Sequence, residues 1–179
     1  MNKSVLIISS SMRKNSNSDM LAEAFAKGAE EAGNKVEIIR LRDKEIKYCI
    51  GCLSCQRTGK CVLKDDAAEI VEKAKKADVI AFASPVYYYS ISGQLKTMLD
   101  RLNPLFAADY KFRDIYFLAT AYENEKTTVS GAKTAVQGWV DCFEKARLAG
   151  TIFAGGVNEP GEIKDHPQLE KAYTCGKKI

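Results

Sequence analysis

The stretch that decides the fold is Val5-Leu6-Ile7-Ile8, which runs directly into Ser9-Ser10-Ser11-Met12-Arg13-Lys14-Asn15-Ser16-Asn17-Ser18. Four consecutive apolar residues, β-branched Val and Ile among them, indicate a strand that is buried on both faces. The polar run after it leads into an apolar pattern of helical spacing, so the stretch predicts a strand, a loop and the beginning of a helix. Such a junction directs free backbone N–H groups and the positive end of the helix at one point. It therefore predicts a phosphate site.

The side chains of this serine loop (Ser9–Ser18) strengthen the prediction, because hydroxyl, amide and guanidinium groups all donate hydrogen bonds. The predicted phosphate ligands are Ser9, Ser11, Arg13, Ser16, Asn17 and Ser18. An alternative is that Ser, Asn and Asp19 only cap the helix, but a cap uses one hydroxyl and this loop offers several. The chain has neither Gly-x-Gly-x-x-Gly nor Gly-Lys-Ser/Thr, so the dinucleotide fingerprint and the nucleoside-triphosphate loop are unsupported. The phosphate of flavin mononucleotide (FMN) is the favoured anion.

Composition places the chain among ordinary globular proteins. With 179 residues, 46% hydrophobic and 28% charged, it is expected to form one domain over residues 1–179. No apolar run reaches membrane-spanning length and no cleavage-site pattern follows the start, which predicts a cytoplasmic protein without a membrane partner. The net charge of +4 is mild, so no nucleic-acid partner is expected. Six cysteines in such a chain are better interpreted as thiols or metal ligands than as disulfides.

Strand and helix patterns alternate along the rest of the chain. After the first strand, further strands are predicted over 36–41, 78–83, 115–119 and 151–154, the third ending at Ser84-Pro85. Five strands alternating with five helices specify an α/β fold, an open parallel sheet with helices on both faces. For strand order 2-1-3-4-5, ligands bind beyond the carboxyl ends, where the order reverses between the first and third strands. The loops that flank this point are the serine loop and Ser84–Ser92.

The second of these, the tyrosine loop (Ser84–Ser92), begins Ser84-Pro85-Val86-Tyr87-Tyr88-Tyr89-Ser90. Pro85 fixes one backbone dihedral, and the tyrosines bring aromatic faces to the switch point, where a flat polycyclic ring could lie. Three tyrosines in a row are more often a packed surface feature, and only their position after the third strand favours a ligand wall. The predicted ring contacts are Pro85, Val86, Tyr87 and Tyr88. Thr120 and Tyr122, in the loop after the fourth strand, are a weaker assignment.

The two loops together resemble a known family. Ser9–Ser18, Ser84-Pro85-Val86-Tyr87-Tyr88 and the helix Gln94–Arg101 are similar to the NADPH-dependent FMN reductase family of the flavodoxin superfamily over nearly the whole chain. The resemblance implies a flavodoxin-like three-layer sandwich and FMN bound without a covalent bond, its phosphate on the serine loop and its isoalloxazine ring against the tyrosine loop. It also implies a homodimer or homotetramer in which partner-subunit residues complete the flavin pocket.

A cysteine segment (45–64) lies between the second strand and the second helix. It holds Cys49, Cys52, Cys55 and Cys61 in the spacing C-x2-C-x2-C-x5-C, which resembles ferredoxin-type [4Fe–4S] ligation. Zinc fits less well, because its sites usually combine two C-x2-C pairs across a longer insert. Free thiols in an interface loop remain an alternative. The segment is similar to that of iron-sulfur flavoproteins, a branch of the family that the resemblance implies to carry FMN and a [4Fe–4S] cluster.

Two functions compete. The first is an FMN-dependent oxidoreductase that takes electrons from NAD(P)H or reduced ferredoxin and passes them to a small acceptor such as a flavin, a quinone or another electrophile. The second is a flavodoxin-like electron carrier without turnover of its own, but the resemblance implies that such carriers are strongly acidic, and this chain is mildly basic. No general base is evident. A receiver-type signalling domain is rejected, because Ser9-Ser10-Ser11 and Ser84-Pro85 occupy the places of its acidic residues.

Overall fold

The computed structural model describes residues 2–179, and its centre is a parallel sheet in the order β2-β1-β3-β5-β6. The strands are β1 (Ser4–Ser9), β2 (Lys35–Arg40), β3 (Val79–Tyr87), β4 (Ser90–Ile91), β5 (Asp114–Thr120) and β6 (Arg147–Ala154). The five parallel strands confirm the predicted fold class and the predicted order 2-1-3-4-5, since β5 and β6 are its fourth and fifth parallel strands. The fourth strand in the chain, β4, is the sixth member of the sheet and was not predicted.

Helices cover both faces of the sheet. They are α1 (Asn17–Glu31), α2 (Ser54–Thr58), α3 (Ala67–Lys76), α4 (Gly93–Arg101), α5 (Ser130–Val140) and α6 (Pro167–Lys177). Alternate residues of the buried strands point to opposite faces: Leu6 and Ile8 pack with α3, α4 and α5, whereas Val5 and Ile7 pack with α1 and α6. This gives the three layers of a flavodoxin-like sandwich. Among residues 2–179, no helix has both the length and the apolar character needed to cross a bilayer.

The tyrosine loop differs most from the sequence prediction. The third strand does not end at Ser84-Pro85 but continues to Tyr87, turns back and pairs antiparallel with β4. The turn residues Tyr88 and Tyr89 both have positive φ, 48° and 59°, as a two-residue hairpin turn requires. That backbone region usually selects Asn or Gly, so a Tyr-Tyr pair gives no sequence signal for a turn. The hairpin therefore could not be predicted from the sequence pattern.

Two glycines allow α1 and α6 to approach very closely. A Cβ atom built on Gly28 would stand 2.0 Å from the carbonyl oxygen of Tyr173, and one built on Gly176 would stand 2.0 Å from that of Phe25. The obstacle in both cases is backbone, which cannot move without separating the helices. Because α1 also carries part of the serine loop, this contact helps to fix the position of the first turn of the helix and of that loop.

We expect Gly28→Ala to destabilise the protein by about 1–3 kcal/mol or more, because the added methyl group forces the two backbones apart. The matched control is Gly138→Ala on α5, where a Cβ atom meets nothing within 4 Å. That change should stabilise the protein by about 0.5–1 kcal/mol, since alanine favours helix over glycine. Urea unfolding of both variants checks the pair, and equal stability of the two would contradict the close-contact interpretation.

Candidate functional site

A cleft of about 170 Å³ opens beyond the carboxyl ends of β1, β3, β5 and β6. It brings together ten of the twelve residues predicted to contact a cofactor: Ser11, Arg13, Ser16, Asn17, Ser18, Pro85, Val86, Tyr87, Thr120 and Tyr122. Ala121, Val157, Asn158 and Pro160 complete the wall. The serine loop and the tyrosine loop therefore face one another across a single cleft, although about seventy residues separate them in the chain.

The pairing of β1 with β3 places these two loops side by side. Ser9 pairs with Ala83 in the parallel register, and the Ser10 amide continues the ladder by donating to the Ala83 carbonyl at 2.9 Å. Beyond this point the hydroxyl of Ser92 donates to Ser10 Oγ at 2.8 Å, and the backbone amide of Ser92 donates to Ser84 Oγ at 3.0 Å. The roots of both loops are thus joined by buried hydrogen bonds.

The first turn of α1 forms the polar end of the cleft. Ser16 is the N-cap residue, and its side chain accepts from the Asp19 amide at 3.1 Å. The first bond within the helix runs from the Met20 amide to the Ser16 carbonyl at 3.0 Å, so the amides of Asn17 and Ser18 precede it and have no partner inside the helix. These two amides, the positive helix end and the Arg13 guanidinium form a donor set that suits a phosphate group.

Hydrogen bonds between loops fix the side chains of this polar end. Arg13 donates to the Asn158 carbonyl at 2.7 Å, and the Asn17 amide group donates to the Glu159 carbonyl at 3.0 Å. The hydroxyls of Ser18 and Thr120 lie 2.7 Å apart. Thr120, the weaker assignment of the sequence analysis, thus lies against the serine loop, whose donors are held in place before any ligand arrives.

Pro85, Val86 and Tyr87 form the aromatic end of the cleft, with Tyr122 across from them. Tyr87 is 50% exposed and Tyr122 is 78% exposed. Both therefore present much of their ring surface to the outside of the protein. A flat ring bound here would be covered on one side only.

Two predicted contacts do not reach the cleft. Ser9 lies at the end of β1, fully buried, where its hydroxyl donates to Asp19 Oδ1 at 2.6 Å. Asp19 also accepts from Arg42, so Ser9 belongs to a buried network beneath the serine loop. Tyr88 occupies the first turn position of the hairpin, where its positive φ directs it away from the cleft and leaves it fully exposed.

The loop after β6 supplies cleft residues that the sequence analysis missed, namely Val157, Asn158 and Pro160. The available signal was Gly155-Gly156 directly after a predicted strand, at the same edge of the sheet as the other loops. Gly155 is required here, because a Cβ atom on it would come within 2.6 Å of the Asn124 Cα. The loop after β6 can therefore approach the loop after β5, which holds Asn124, only if residue 155 is a glycine.

The four cysteines of the cysteine segment line one small cavity of about 30 Å³ together with Asn103 and apolar side chains. Cys55 is buried, Cys61 is half-buried, and Cys49 and Cys52 are exposed. Within residues 2–179, no three His, Cys, Asp or Glu side chains are grouped closely enough to hold one metal ion. The residue types present, four cysteines close together in the chain, are those that an iron-sulfur cluster would need, because its usual ligands are cysteine thiolates.

A buried ion pair anchors the segment to the rest of the fold. The guanidinium of Arg101, in the last turn of α4, donates to Asp65 Oδ1 at 2.8 Å and to the Lys47 carbonyl at 2.7 Å. Both side chains of the pair are almost completely buried. Burial opposes ionisation of Asp65, but hydrogen bonds from Arg101 and from the Lys47 and Ala67 amides outweigh it and hold the pKa of this carboxyl below its usual range.

The only histidine, His166, has a structural role. Its Nδ1 accepts a hydrogen bond from the Gln168 amide at 3.2 Å and so caps α6. This hydrogen bond satisfies a free amide in the first turn of the helix. It does not line the cleft.

The three-layer sandwich, with an anion-binding helix end and an aromatic wall at its switch point, defines the class of flavodoxin-like proteins. An NAD(P)H:quinone oxidoreductase from Methanothermobacter marburgensis has the same fold, with a TM-score of 0.76 and 19% identity over 99% of this chain and 96% of that one. An azoreductase from Bacillus anthracis matches with a TM-score of 0.74 and 21% identity over the full length of both chains.

Sequence comparison narrows the class to one family. The model of the family described as NADPH-dependent FMN reductase matches residues 4–143, and the chain belongs to that family. It is 35% identical to an iron-sulfur flavoprotein of Methanocaldococcus jannaschii over 98% of this chain and 94% of that protein. An iron-sulfur flavoprotein of Archaeoglobus fulgidus is 38% identical over 94% of this chain and 75% of that one. The protein is an oxidoreductase of an FMN-dependent family, which confirms the sequence prediction of an enzyme.

We expect Asp65→Asn to lower the free energy of unfolding at pH 7 by about 3–5 kcal/mol, because Arg101 loses its buried counter-charge. The pKa of Asp65 is lowered in the folded protein, so its contribution is complete above the unfolded value of about 3.9 and disappears as the pH falls through the folded value. Urea unfolding from neutral to acidic pH measures the difference between wild type and variant.

Asp109→Asn is the control for that measurement, since the Asp109 side chain is 94% exposed. It should change stability by less than about 0.5 kcal/mol. If Asp65→Asn lowered the free energy of unfolding by the same amount down to the lowest pH reached, the carboxylate charge would not be the cause of the loss.

Proposed function

We propose that the cleft binds FMN, with the phosphate at the first turn of α1 and the isoalloxazine ring against Pro85, Val86 and Tyr87. The observation that carries the proposal is the convergence of the serine and tyrosine loops on one cleft. Its polar end has amide, hydroxyl and guanidinium donors and no carboxylate in its wall, as a phosphate requires. Its other end has the apolar and aromatic surface that a flavin ring requires.

Residues of a second subunit complete the ring site in this proposal. The cleft volume of about 170 Å³ lies below the roughly 300–1,000 Å³ of enclosed small-molecule sites. Tyr87, Tyr88, Tyr89 and Tyr122 are at least half exposed, and two of them, Tyr87 and Tyr122, line the cleft. Aromatic residues are enriched at protein interfaces. A homodimer or homotetramer would cover them and leave an opening for a nicotinamide or a small acceptor.

The cysteine segment is proposed to hold a [4Fe–4S] cluster through Cys49, Cys52, Cys55 and Cys61. The four cysteines line one cavity whose other wall residues are apolar except for Asn103. A groove of about 250 Å³ is lined both by Met12 of the serine loop and by Tyr48 beside the first cysteine, so the two cofactor sites would be neighbours. Relatives named iron-sulfur flavoproteins match nearly the whole chain.

Charge favours an acidic one-electron donor such as reduced ferredoxin at the cysteine segment. The segment carries Lys47, Arg57, Lys60 and Lys64 against Glu45, and so holds +3 of the chain's net charge of +4. All four basic residues are exposed, and the same segment exposes apolar groups at Tyr48, Ile50, Leu53 and Val62. A basic rim around an apolar centre steers and seats an acidic partner.

FMN, when bound, accepts two electrons together and releases them singly, which matches a nicotinamide donor to one-electron partners. The chain's own groups would bind and orient it: the amides of Asn17 and Ser18 and the Arg13 guanidinium would hold the phosphate, and Tyr87 would contact the ring. The acceptor class remains a small electrophile such as a flavin or a quinone. Family membership favours this enzyme over the electron carrier considered from the sequence.

We expect Arg13→Ala to weaken FMN binding about 10- to 100-fold, because a charge-assisted hydrogen bond to a phosphate contributes roughly 1.5–3 kcal/mol. Quenching of FMN fluorescence on titration with apoprotein measures the dissociation constant. Lys27→Ala removes a positive charge from the exposed middle of α1 and should leave the constant unchanged. Equal weakening by both variants would indicate a general effect of net charge.

Absorption spectroscopy of the freshly isolated, anaerobic protein tests both proposed cofactors. We expect flavin bands on a broad shoulder that dithionite bleaches, and roughly four iron and four sulfide per chain, as four cysteine ligands imply. Flavin bands without iron and sulfide would remove the cluster from the proposal and leave the FMN site intact. A colourless protein whose addition leaves FMN fluorescence unchanged would overturn the proposed function altogether. Steady NAD(P)H oxidation without a partner protein would exclude the carrier.

A further inference from the structure

One amide side chain from outside the cysteine segment reaches a cysteine sulfur. Asn103 lies just past the end of α4, and its Nδ2 donates to the Sγ atom of Cys55 at 3.1 Å. Asn103 is also the only polar residue besides the cysteines in the wall of the cavity that the four sulfurs share. A single hydrogen-bond donor is therefore directed at one sulfur in otherwise apolar surroundings.

The backbone around Asn103 is held firmly. Arg101, two residues earlier, is fixed by its bonds to Asp65 and to the Lys47 carbonyl. Pro104 and Leu105, directly after Asn103, are buried. Proline also restricts the conformation of the residue before it. The amide of Asn103 is thus positioned by residues that are fixed on both sides of it in the chain.

The Arg101 guanidinium is a second polar group at the end of α4. Its Nε is buried and has no hydrogen-bond partner among residues 2–179. Arg101 is paired with Asp65, and Asp65 and Cys61 line the same groove, so a second cysteine lies on this side of the guanidinium. The end of α4 therefore supplies a hydrogen-bond donor to Cys55 and a positive charge near Cys61.

We propose that Asn103 is a positioning residue that raises the reduction potential of the [4Fe–4S] cluster by donating a hydrogen bond to the Cys55 sulfur. The inference rests on the proposed function, since it requires a cluster on these cysteines. One-electron reduction, with the electron taken from the donor protein or from dithionite in a titration, adds one negative charge to the cluster and its sulfur ligands. An N–H dipole directed at a ligand sulfur stabilises that charge, so reduction becomes more favourable.

The test is a redox titration of the anaerobically purified holoprotein, followed by the spectrum of the reduced cluster. In Asn103→Leu, which keeps the approximate size and removes the donor, the cluster potential should shift to a more negative value. Asn103→Asp, which replaces the donor by an anionic acceptor, should shift it further in the same direction. Asn103→Ser, which restores a smaller donor, should lie between Asn103→Leu and wild type.

Two controls separate this effect from general perturbation. Gln56→Leu removes an exposed amide of the cysteine segment that is not part of the cavity wall, and its cluster potential should equal that of wild type. The FMN potential, measured in the same titrations, should stay constant in every variant, because Asn103 does not line the FMN cleft. Iron and sulfide content of each variant confirms that the cluster is present.

The outcomes are distinct. A wild-type potential in Asn103→Leu, or the same shift in Gln56→Leu, would overturn the role of Asn103 while the proposed function stands. Wild-type protein without iron and sulfide would overturn the cluster and the inference together. If Asn103→Leu loses its cluster, Asn103→Asp decides the matter, because it also removes the donor, and a potential in it that equals wild type would overturn the inference.

Discussion

The parallel pairing of β1 with β3 is the constraint on which the rest of the site depends. It forces the serine loop and the tyrosine loop to leave the sheet at adjacent points, and the hydroxyls of Ser10, Ser84 and Ser92 join them there. All three serines are completely buried. Hydroxyls without partners at that depth would each cost on the order of 1–3 kcal/mol, so the two loops stabilise one another. The cleft is consequently a property of the sheet and exists before a cofactor binds.

Sequence patterns predicted the elements in which apolar residues recur at a regular spacing. Buried strands such as Val5–Ile8 and amphipathic helices are local regularities, and strand order then follows from general rules of parallel sheets. The convergence of the serine and tyrosine loops could be predicted for the same reason. Ten cleft residues could thus be named from the sequence, because each one lies at or soon after the end of a recognisable strand.

The remaining features depend on contacts between distant segments, which leave no local pattern. The hairpin through Tyr88 and Tyr89 uses a backbone region that tyrosine rarely adopts, and the start of α5 packs so closely against it that a Cβ atom on Gly131 would stand 2.3 Å from the Tyr89 carbonyl. Such a turn is imposed by its surroundings, not by its own residues. Asn103 is likewise an ordinary helix-end residue in the sequence, and only the packing of α4 places it beside Cys55.

The two proposed cofactor sites differ in how much of their structure the fold supplies. The cleft proposed for FMN lies on four strand ends and one helix, all tied to buried layers. The cysteine segment has only the five-residue helix α2 as regular structure, and Asp65 and Asp66 pin its ends by accepting from the Lys47 and Glu45 amides at 2.8 and 2.7 Å. Between those anchors most side chains are exposed. For such a segment, the free energy of binding a metal cluster also stabilises the folded conformation. The segment would therefore take its final shape from its cluster, whereas Asn103 and Arg101 would keep their positions.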